Sequence, residues 1–407
     1  MRKLVLILLA ISMLIPSAFA VDLSGQGLMR HENKNNSDFT DTVRDDVSFT
    51  ASRFRLNVKA APEGAKWDLF FQPQFTKVWG QQVSGSNTSG ALNDTTNDIH
   101  QAYVNWNILE KLSLKAGRQE LAYGDQLVIG SVGWSVQARS FDGARLRSTF
   151  FGRFTDMFWT KVKDNDVSAA AIGDDEFYGL YHSHDFGEYL KFLDLYTFNK
   201  AYHTGGTAGE TSLWTFGTRL KSSFHGFDYR VELTSQTGKG MTKNSTLATK
   251  QSGNQADLEF GYSPNFLGMR ISLEYLQASK DYDQLYPTGH KFLGFADQFS
   301  RRNVRSYVAH LKLAPIDKLL VKVDYHMIER LKDNKPNYNF GGGARGATST
   351  SKKEDVATEL DLTVKYTLDK GLFAQVGHSM VTAEGYLKAL STKDSTSWSY
   401  VMLVANF

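Results

Sequence analysis

Arg53-Phe-Arg-Leu-Asn-Val-Lys59 decides the fold class. Side chains alternate with a period of two along a strand, so Phe54, Leu56 and Val58 fall on one face and Arg53, Arg55, Asn57 and Lys59 on the other. The pattern recurs along the chain. Tyr229, Val231 and Leu233 oppose Asp228, Arg230, Glu232 and Thr234; Leu319, Val321, Val323 and Tyr325 oppose Lys322, Asp324 and His326; Leu360, Leu362, Val364 and Tyr366 oppose Glu359, Asp361, Thr363 and Lys365. Strand-length segments with one apolar and one charged face, separated by turn-rich links, are the pattern of a transmembrane β-barrel rather than of helical or α/β folds.

Eighteen such segments can be marked, near 21–33, 48–60, 65–80, 97–109, 112–124, 141–150, 151–165, 175–186, 192–203, 212–224, 227–238, 254–264, 269–282, 303–315, 319–330, 355–368, 373–385 and 397–407. The number is even, as in single-chain bacterial barrels. The links alternate in length. Ala61-Pro-Glu-Gly64, Glu110-Lys111, His225-Gly226, Pro315-Ile-Asp-Lys318 and Asp369-Lys-Gly371 read as short periplasmic turns. Stretches near 81–96, 125–140, 239–253, 283–302 and 331–354 read as long outer loops, rich in Gly, Ser, Thr, Asn and Asp. No fixed repeat supports a solenoid.

The two ends fit this reading. Arg2 and Lys3 precede an apolar run from Leu4 to Ile15, then Pro16 and the small-x-small pattern Ala18-Phe-Ala20. This is a secretory signal over residues 1–20, with the barrel expected over 21–407. Beyond it, no apolar run approaches the ~20 residues of a membrane helix. The last segment, Trp398-Ser-Tyr-Val-Met-Leu-Val-Ala-Asn-Phe407, puts Val401, Leu403, Ala405 and Phe407 on one face and ends on an aromatic. Such an ending resembles the signal read by the outer-membrane barrel assembly machinery. The expected setting is therefore the outer membrane of a Gram-negative bacterium, with the lipid bilayer and lipopolysaccharide as surroundings.

Composition narrows the chemistry. The chain of 407 residues has no cysteine, which excludes disulfides, thiolate metal sites and haem attachment through C-x-x-C-H. Removal of Arg2 and Lys3 takes the net charge from +3 to +1, so nothing general points to nucleic acid. Trp67, Trp79, Trp106, Trp134, Trp159, Trp214, Tyr262 and Trp398 are candidates for interfacial girdles. No spacing sets a nucleophile beside a base, so no catalytic residues are assigned. His182 and His184 share a strand face, yet a wall-lining pair without metal is the simpler reading. No cofactor and no metal are expected.

Charged side chains should line the lumen. Alternation turns Arg53, Arg55, Lys59, Arg145, Arg147, Arg219, Lys221, Arg230 and Arg270 inward, together with Glu232, Glu259, Glu274, Asp324, Glu359 and Asp361. Such a lumen is wetted or closely ion-paired, and a barrel of this size has room for an aqueous channel. Between two strands, 125–140 is unusually apolar for an outer loop, with Leu127, Val128, Ile129, Val132, Trp134 and Val136. It is expected to fold back into the barrel mouth, bringing Arg118, Asp125, Arg139, Asp142 and Arg145 near a constriction, with Arg147, Arg53 and Arg55 as further lumen arginines.

Gly117-Arg-Gln-Glu120, Tyr123-Gly-Asp-Gln126, Trp134 and Ala138-Arg-Ser-Phe-Asp-Gly-Ala-Arg-Leu146 resemble the core motif of the alginate export family of outer-membrane porins. Tyr286-Pro-Thr-Gly-His-Lys-Phe-Leu-Gly-Phe-Ala-Asp297 resembles that family's later loop, and Glu359-Leu-Asp-Leu-Thr-Val-Lys-Tyr366 with Gly377-His-Ser379 its closing strands. The resemblance spans nearly the whole chain after the signal and implies an eighteen-stranded barrel. It also implies passive export of an anionic polysaccharide, with Arg118, Arg139 and Arg145 as constriction arginines and Asp125 and Asp142 as their acidic partners. Two functions are set against each other: a pore for anionic solutes, including a uronate polymer such as alginate, and a general porin or a sheath around a partner such as a multihaem cytochrome.

Overall fold

The computed structural model describes residues 19–36, 38–40, 46–80, 96–163, 174–187, 189–203, 211–240, 249–346 and 351–407. Residues 1–18, which carry most of the expected signal, and parts of several outer loops, including most of 81–96, lie outside them.

Eighteen antiparallel strands make one sheet. They are β1 (Phe19–Asn35), β2 (Val47–Pro62), β3 (Trp67–Val78), β4 (Thr96–Leu109), β5 (Leu112–Gln119), β6 (Phe141–Ser148), β7 (Phe154–Lys163), β8 (Asp174–His184), β9 (Phe192–His203), β10 (Thr211–Phe224), β11 (Phe227–Gly240), β12 (Thr249–Tyr262), β13 (Arg270–Ala278), β14 (Val304–Ile316) and β15 (Leu319–Glu329), then β18 (Asp355–Asp369), β19 (Leu372–Ala383) and β20 (Ser395–Asn406). Two dipeptide strands, β16 (Asn337–Tyr338) and β17 (Ala344–Arg345), form a separate hairpin within an outer loop. Each barrel strand pairs with its sequence neighbours, and β20 also pairs with β1, from Gln26↔Asn406 to Asn35↔Ser397. The sheet is thereby closed and has no free edge. This is what a bilayer demands, because lipid cannot satisfy unpaired backbone groups.

The apolar face of each strand is turned outward. Leu273, Phe260 and Val401 are 66%, 60% and 51% exposed, the reverse of a soluble core, and they form the lipid-facing belt. The opposite parity faces the lumen. In β20, Val401 and Leu403 point out, as does Phe407 just beyond it, while Trp398, Tyr400, Met402 and Val404 are buried inside. Trp398 is therefore a lumen residue and not part of a girdle, and Trp134 lies in an inward loop. The other six candidates, Trp67, Trp79, Trp106, Trp159, Trp214 and Tyr262, are exposed.

Two strands end earlier than the alternation suggests. β5 stops at Gln119 and β13 at Ala278, because at both points the chain leaves the wall and enters the lumen. A bulge prepares the first departure. Pro73 has no amide hydrogen to give to the ladder, and the register slips so that Gln72 faces Gln101 while Pro73 faces Ile99. The extra residue, His100, is buried and its Nε2 lies 2.7 Å from Glu120, the first residue of the inward loop.

Candidate functional site

Two loops fill the outer half of the lumen. The loop 120–140 joins β5 to β6, and 279–303 joins β13 to β14. Val136 of the first is buried against Phe49, Ala51 and Val78, and Leu121, Leu127, Val128 and Ile129 are buried in a larger core. That core is built with the lumen-facing rings of Phe141, Phe158, Phe177, Tyr181, Tyr196 and Phe198 and with Leu285 and Phe292 of the second loop. Fully polar loops would have no such reason to leave water.

The loops clasp each other through their main chains. Tyr286 N donates to Val128 O at 3.0 Å, Gly130 N to Tyr286 O at 2.8 Å and Thr288 N to Gln126 O at 3.0 Å. This is a short strand-like pairing centred on Ile129 and Tyr286. Arg139 donates to Pro287 O at 3.1 Å and to Gly130 O at 3.4 Å. Arg301 donates to Leu127 O, and Trp134 stacks on His290 with ring centres 4.3 Å apart. Burial lowers the Arg139 guanidinium to about 10, still charged at neutral pH.

The wall holds this pair of loops from three sides. Arg53 donates to Ser135 O at 2.8 Å and Gly133 O at 3.2 Å, and Arg30 donates to Trp134 O at 2.7 Å while lying over the Trp134 ring. Arg55 donates to Gln74 at 2.6 Å and lies 3.8 Å from Glu120. On another side Tyr123 donates to Asp156 at 3.0 Å, and Asp156 is also taken by Arg147 at 2.6 Å and Arg145 at 3.7 Å.

On the third side, Asp125 meets Arg219 at 2.6 Å, Lys221 at 3.0 Å and Arg230 at 3.9 Å. Burial works to raise the Asp125 carboxyl, but the charges and hydrogen bonds of Arg219 and Lys221 outweigh it and hold it well below the usual carboxylate range. Gly124 allows this approach: its φ is +56°, and a Cβ there would sit 2.9 Å from Cδ of Arg219.

Not every residue assigned to the constriction lies in it. Asp125, Arg139, Arg53 and Arg55 contact the loop assembly, and Arg145 and Arg147 lie on the lumen face beside it through Asp156. Arg118 and Asp142 do not join them. They are register partners and bond at 2.9 Å, but they share strand parity with Ala116, Leu114, Ala144 and Leu146, the outward face. Arg118 also pairs with Asp98 at 3.4 Å. The parity that turns Arg145 and Arg147 inward already turns Asp142 outward. Proximity in sequence to the loop was the misleading signal. Asp125 accordingly takes its partners from β10 and β11, not from Arg118 or Arg139. His182 and His184 also face outward, since Phe177, Tyr181 and Ser183, of the opposite parity, are buried in β8.

Below the loops, towards the short-turn end, the wall carries a mixed-charge ladder. Arg230 meets Asp257 at 2.9 Å, Glu274 at 3.0 Å and Glu259 at 3.2 Å. Arg270 meets Asp228 at 2.5 Å and Glu259 at 2.8 Å. His310 lies 2.6 Å from Asp324 and 3.4 Å from Glu274. The Glu259, Glu274 and His310 ligand atoms lie within 4.8 Å of one another, as metal ligands do, but Arg230 and Arg270 already occupy the carboxylates. This ladder encloses a cavity of about 570 Å³ roofed by Lys291, Phe292 and Phe295 of the second loop. Seven Lys and Arg line it against five Asp and Glu, leaving basic groups in excess. Alternation already turns Lys221 inward and puts Lys322 on the charged face of its strand, but the sequence gives no signal for the second inward loop, for Arg30, or for Lys191, Lys291 and Lys312 of this cavity.

Solved structures with the same fold are outer-membrane proteins. OccAB1 of Acinetobacter baumannii superposes with a TM-score of 0.67 at 12% identity, over 95% of this chain and 96% of its own. OccK2 (OpdF) of Pseudomonas aeruginosa, solved in complex with glucuronate, gives 0.64 at 10% identity over 95% and 98%. OprD of Pseudomonas aeruginosa gives 0.62 at 13% identity over 96% and 95%. These likenesses establish the barrel fold. No curated protein sequence matches the chain. The family model described as alginate export matches residues 20–397, nearly the full length, and with the closed eighteen-stranded wall and its inward loops in view, the chain belongs to the alginate export family of outer-membrane channels.

Proposed function

We propose that this chain is a passive channel for anionic solutes, with acidic sugars and uronate polymers as the class to test first. The observation that carries the reading is the cavity beneath the loops, where lysine and arginine outnumber aspartate and glutamate and the void faces the periplasmic turns. Glucuronate bound to OccK2 supports the same class by analogy of fold alone. A channel rather than an enzyme fits family and fold.

The sheath reading finds less support. Two loops of the chain itself occupy the outer lumen, and the cavity of about 570 Å³ falls within the ~300–1,000 Å³ of small-ligand sites. That is no space for a folded partner. Delivery would follow signal cleavage after Ala20 and insertion by the barrel assembly machinery of a Gram-negative cell, into a membrane faced with lipopolysaccharide. Phe407, which exchanges backbone hydrogen bonds with Gly25 at 2.8 and 3.1 Å, would be read as the terminal signal.

The test is a reversal potential in planar bilayers under a salt gradient, followed by addition of oligouronates. Anion preference and a concentration-dependent block by oligouronates are expected. A cation-preferring pore, or one indifferent to oligouronates at concentrations where neutral oligosaccharides are also inert, would remove this reading.

A further inference from the structure

We propose that the periplasmic vestibule is a binding site for a compact anion bearing two or more carboxylates, held between a lysine pair on the wall and Lys291 on the roof. The site deepens the channel reading: it names where an anion would pause and what charge pattern it would carry.

Arg270, Lys312 and Lys322 are successive register partners on β13, β14 and β15 and share the lumen face. Arg270 is engaged by Asp228 and Glu259. Lys312 and Lys322 differ from it. Among the described residues neither has a carboxylate within ion-pair distance, although both line the cavity. Like charges directly opposite each other destabilise a strand pair. The neighbouring acids on the lumen face are already committed, since His310 lies 2.6 Å from Asp324 and 3.4 Å from Glu274. The paired lysines thus keep their hydrogen-bond donors for something in the cavity.

The roof supplies the third ammonium. Lys291 also lacks an ion pair among the described residues, and its ammonium lies 5.0 Å from the centre of the Phe292 ring. Burial lowers its pKa; Asp125 opposes the shift, while Arg230, Lys221 and Lys322 add to it. A cation in that position gains from any anion that reaches it.

One carboxylate on the wall pair leaves the roof unsatisfied. An anion with two carboxylates can meet both, and Phe292 and Phe295 offer apolar surface to its skeleton. The volume suits a small molecule rather than a chain segment of many residues.

The test uses the full chain in detergent and isothermal titration with citrate and, separately, inorganic phosphate. Citrate is expected to bind saturably, one per chain, and more tightly than phosphate. Lys312→Gln with Lys322→Gln should weaken citrate at least ~10-fold, a loss of about one charge-assisted contact. Lys291→Gln should weaken it as well, and Lys388→Gln, on an outer-loop turn away from the cavity, should not.

No saturable citrate binding, unchanged affinity in the double variant, or equal affinity for phosphate would overturn the site. Bilayer recordings keep the two ideas apart. An anion-preferring pore that does not bind citrate sinks the site alone, and saturable binding in a cation-preferring pore sinks the channel reading alone.

Discussion

The outer and inner halves of this lumen use basic side chains in opposite ways. In the outer half, Arg30, Arg53, Arg139 and Arg301 give their donors to main-chain carbonyls of the two inward loops. These guanidiniums are spent on architecture. They satisfy backbone that would otherwise be buried without partners, at the depth where the loops have left both water and the strand ladder. In the inner half, Lys291, Lys312 and Lys322 line an open cavity with no carboxylate within ion-pair distance among the described residues. The difference shows that counting arginines in a pore overstates its affinity for anions. The fork of arginine suits fixed carbonyl arrays, whereas the unpaired lysine ammonium is the group left over for a solute.

The contrast can be broken most forcefully by removing the outer half. Replacing residues 127–137 with a short Gly/Ser linker takes away the apolar centre of the first loop and the acceptors of Arg30, Arg53 and Arg301. Single-channel conductance should rise several-fold, because the wall of an eighteen-stranded barrel leaves an aqueous passage when nothing fills it. Unchanged conductance would mean that the loop is not the restriction.

A smaller effect should follow from Asp125→Asn, which leaves Lys221 and one side of Arg219 without their partner. Arg219 keeps Asp194 at 2.6 Å. A broken, largely buried pair costs about 3 kcal/mol of loop docking, and docking can be followed by limited proteolysis and by current noise. Because Asp125 titrates below an unfolded value of roughly 3.9, its contribution is complete at neutral pH and is lost only as pH falls through the depressed folded value. The variant and the parent should therefore differ at pH 7 and converge in strong acid. A difference that vanishes already near pH 6 would show that Asp125 is not the group responsible.

The barrel was legible because it is written in nearest-neighbour parity. Phe54 outside and Arg53 inside need no knowledge of distant residues, and the alternating short and long links give the strand count. The inward bend of 120–140 was also legible, since Leu127 and Ile129 have no place on an exposed loop. What could not be read is the pairing across the lumen. Asp125 finds Arg219 and Lys221 nearly a hundred residues away, and the sequence carries no signal for which wall a loop leans on. Arg118 and Asp142 show a different failure. Their outward parity was available, but it was overridden by their closeness to the loop. Alternation places Lys322 on the charged face, but its pairing with Lys312 stands out only once β14 and β15 are placed in register.

The chain has no cysteine, so a single introduced thiol reports one position without background. The most direct measurement compares Lys322→Cys with Leu127→Cys in reconstituted channels exposed from the periplasmic side to a membrane-impermeant, negatively charged thiol reagent. The open-vestibule account predicts rapid modification and a fall in current for Lys322→Cys, and none for Leu127→Cys on the same timescale. Equal reaction at both positions, or reaction at Leu127→Cys alone, would contradict a tightly packed outer half above an open inner one.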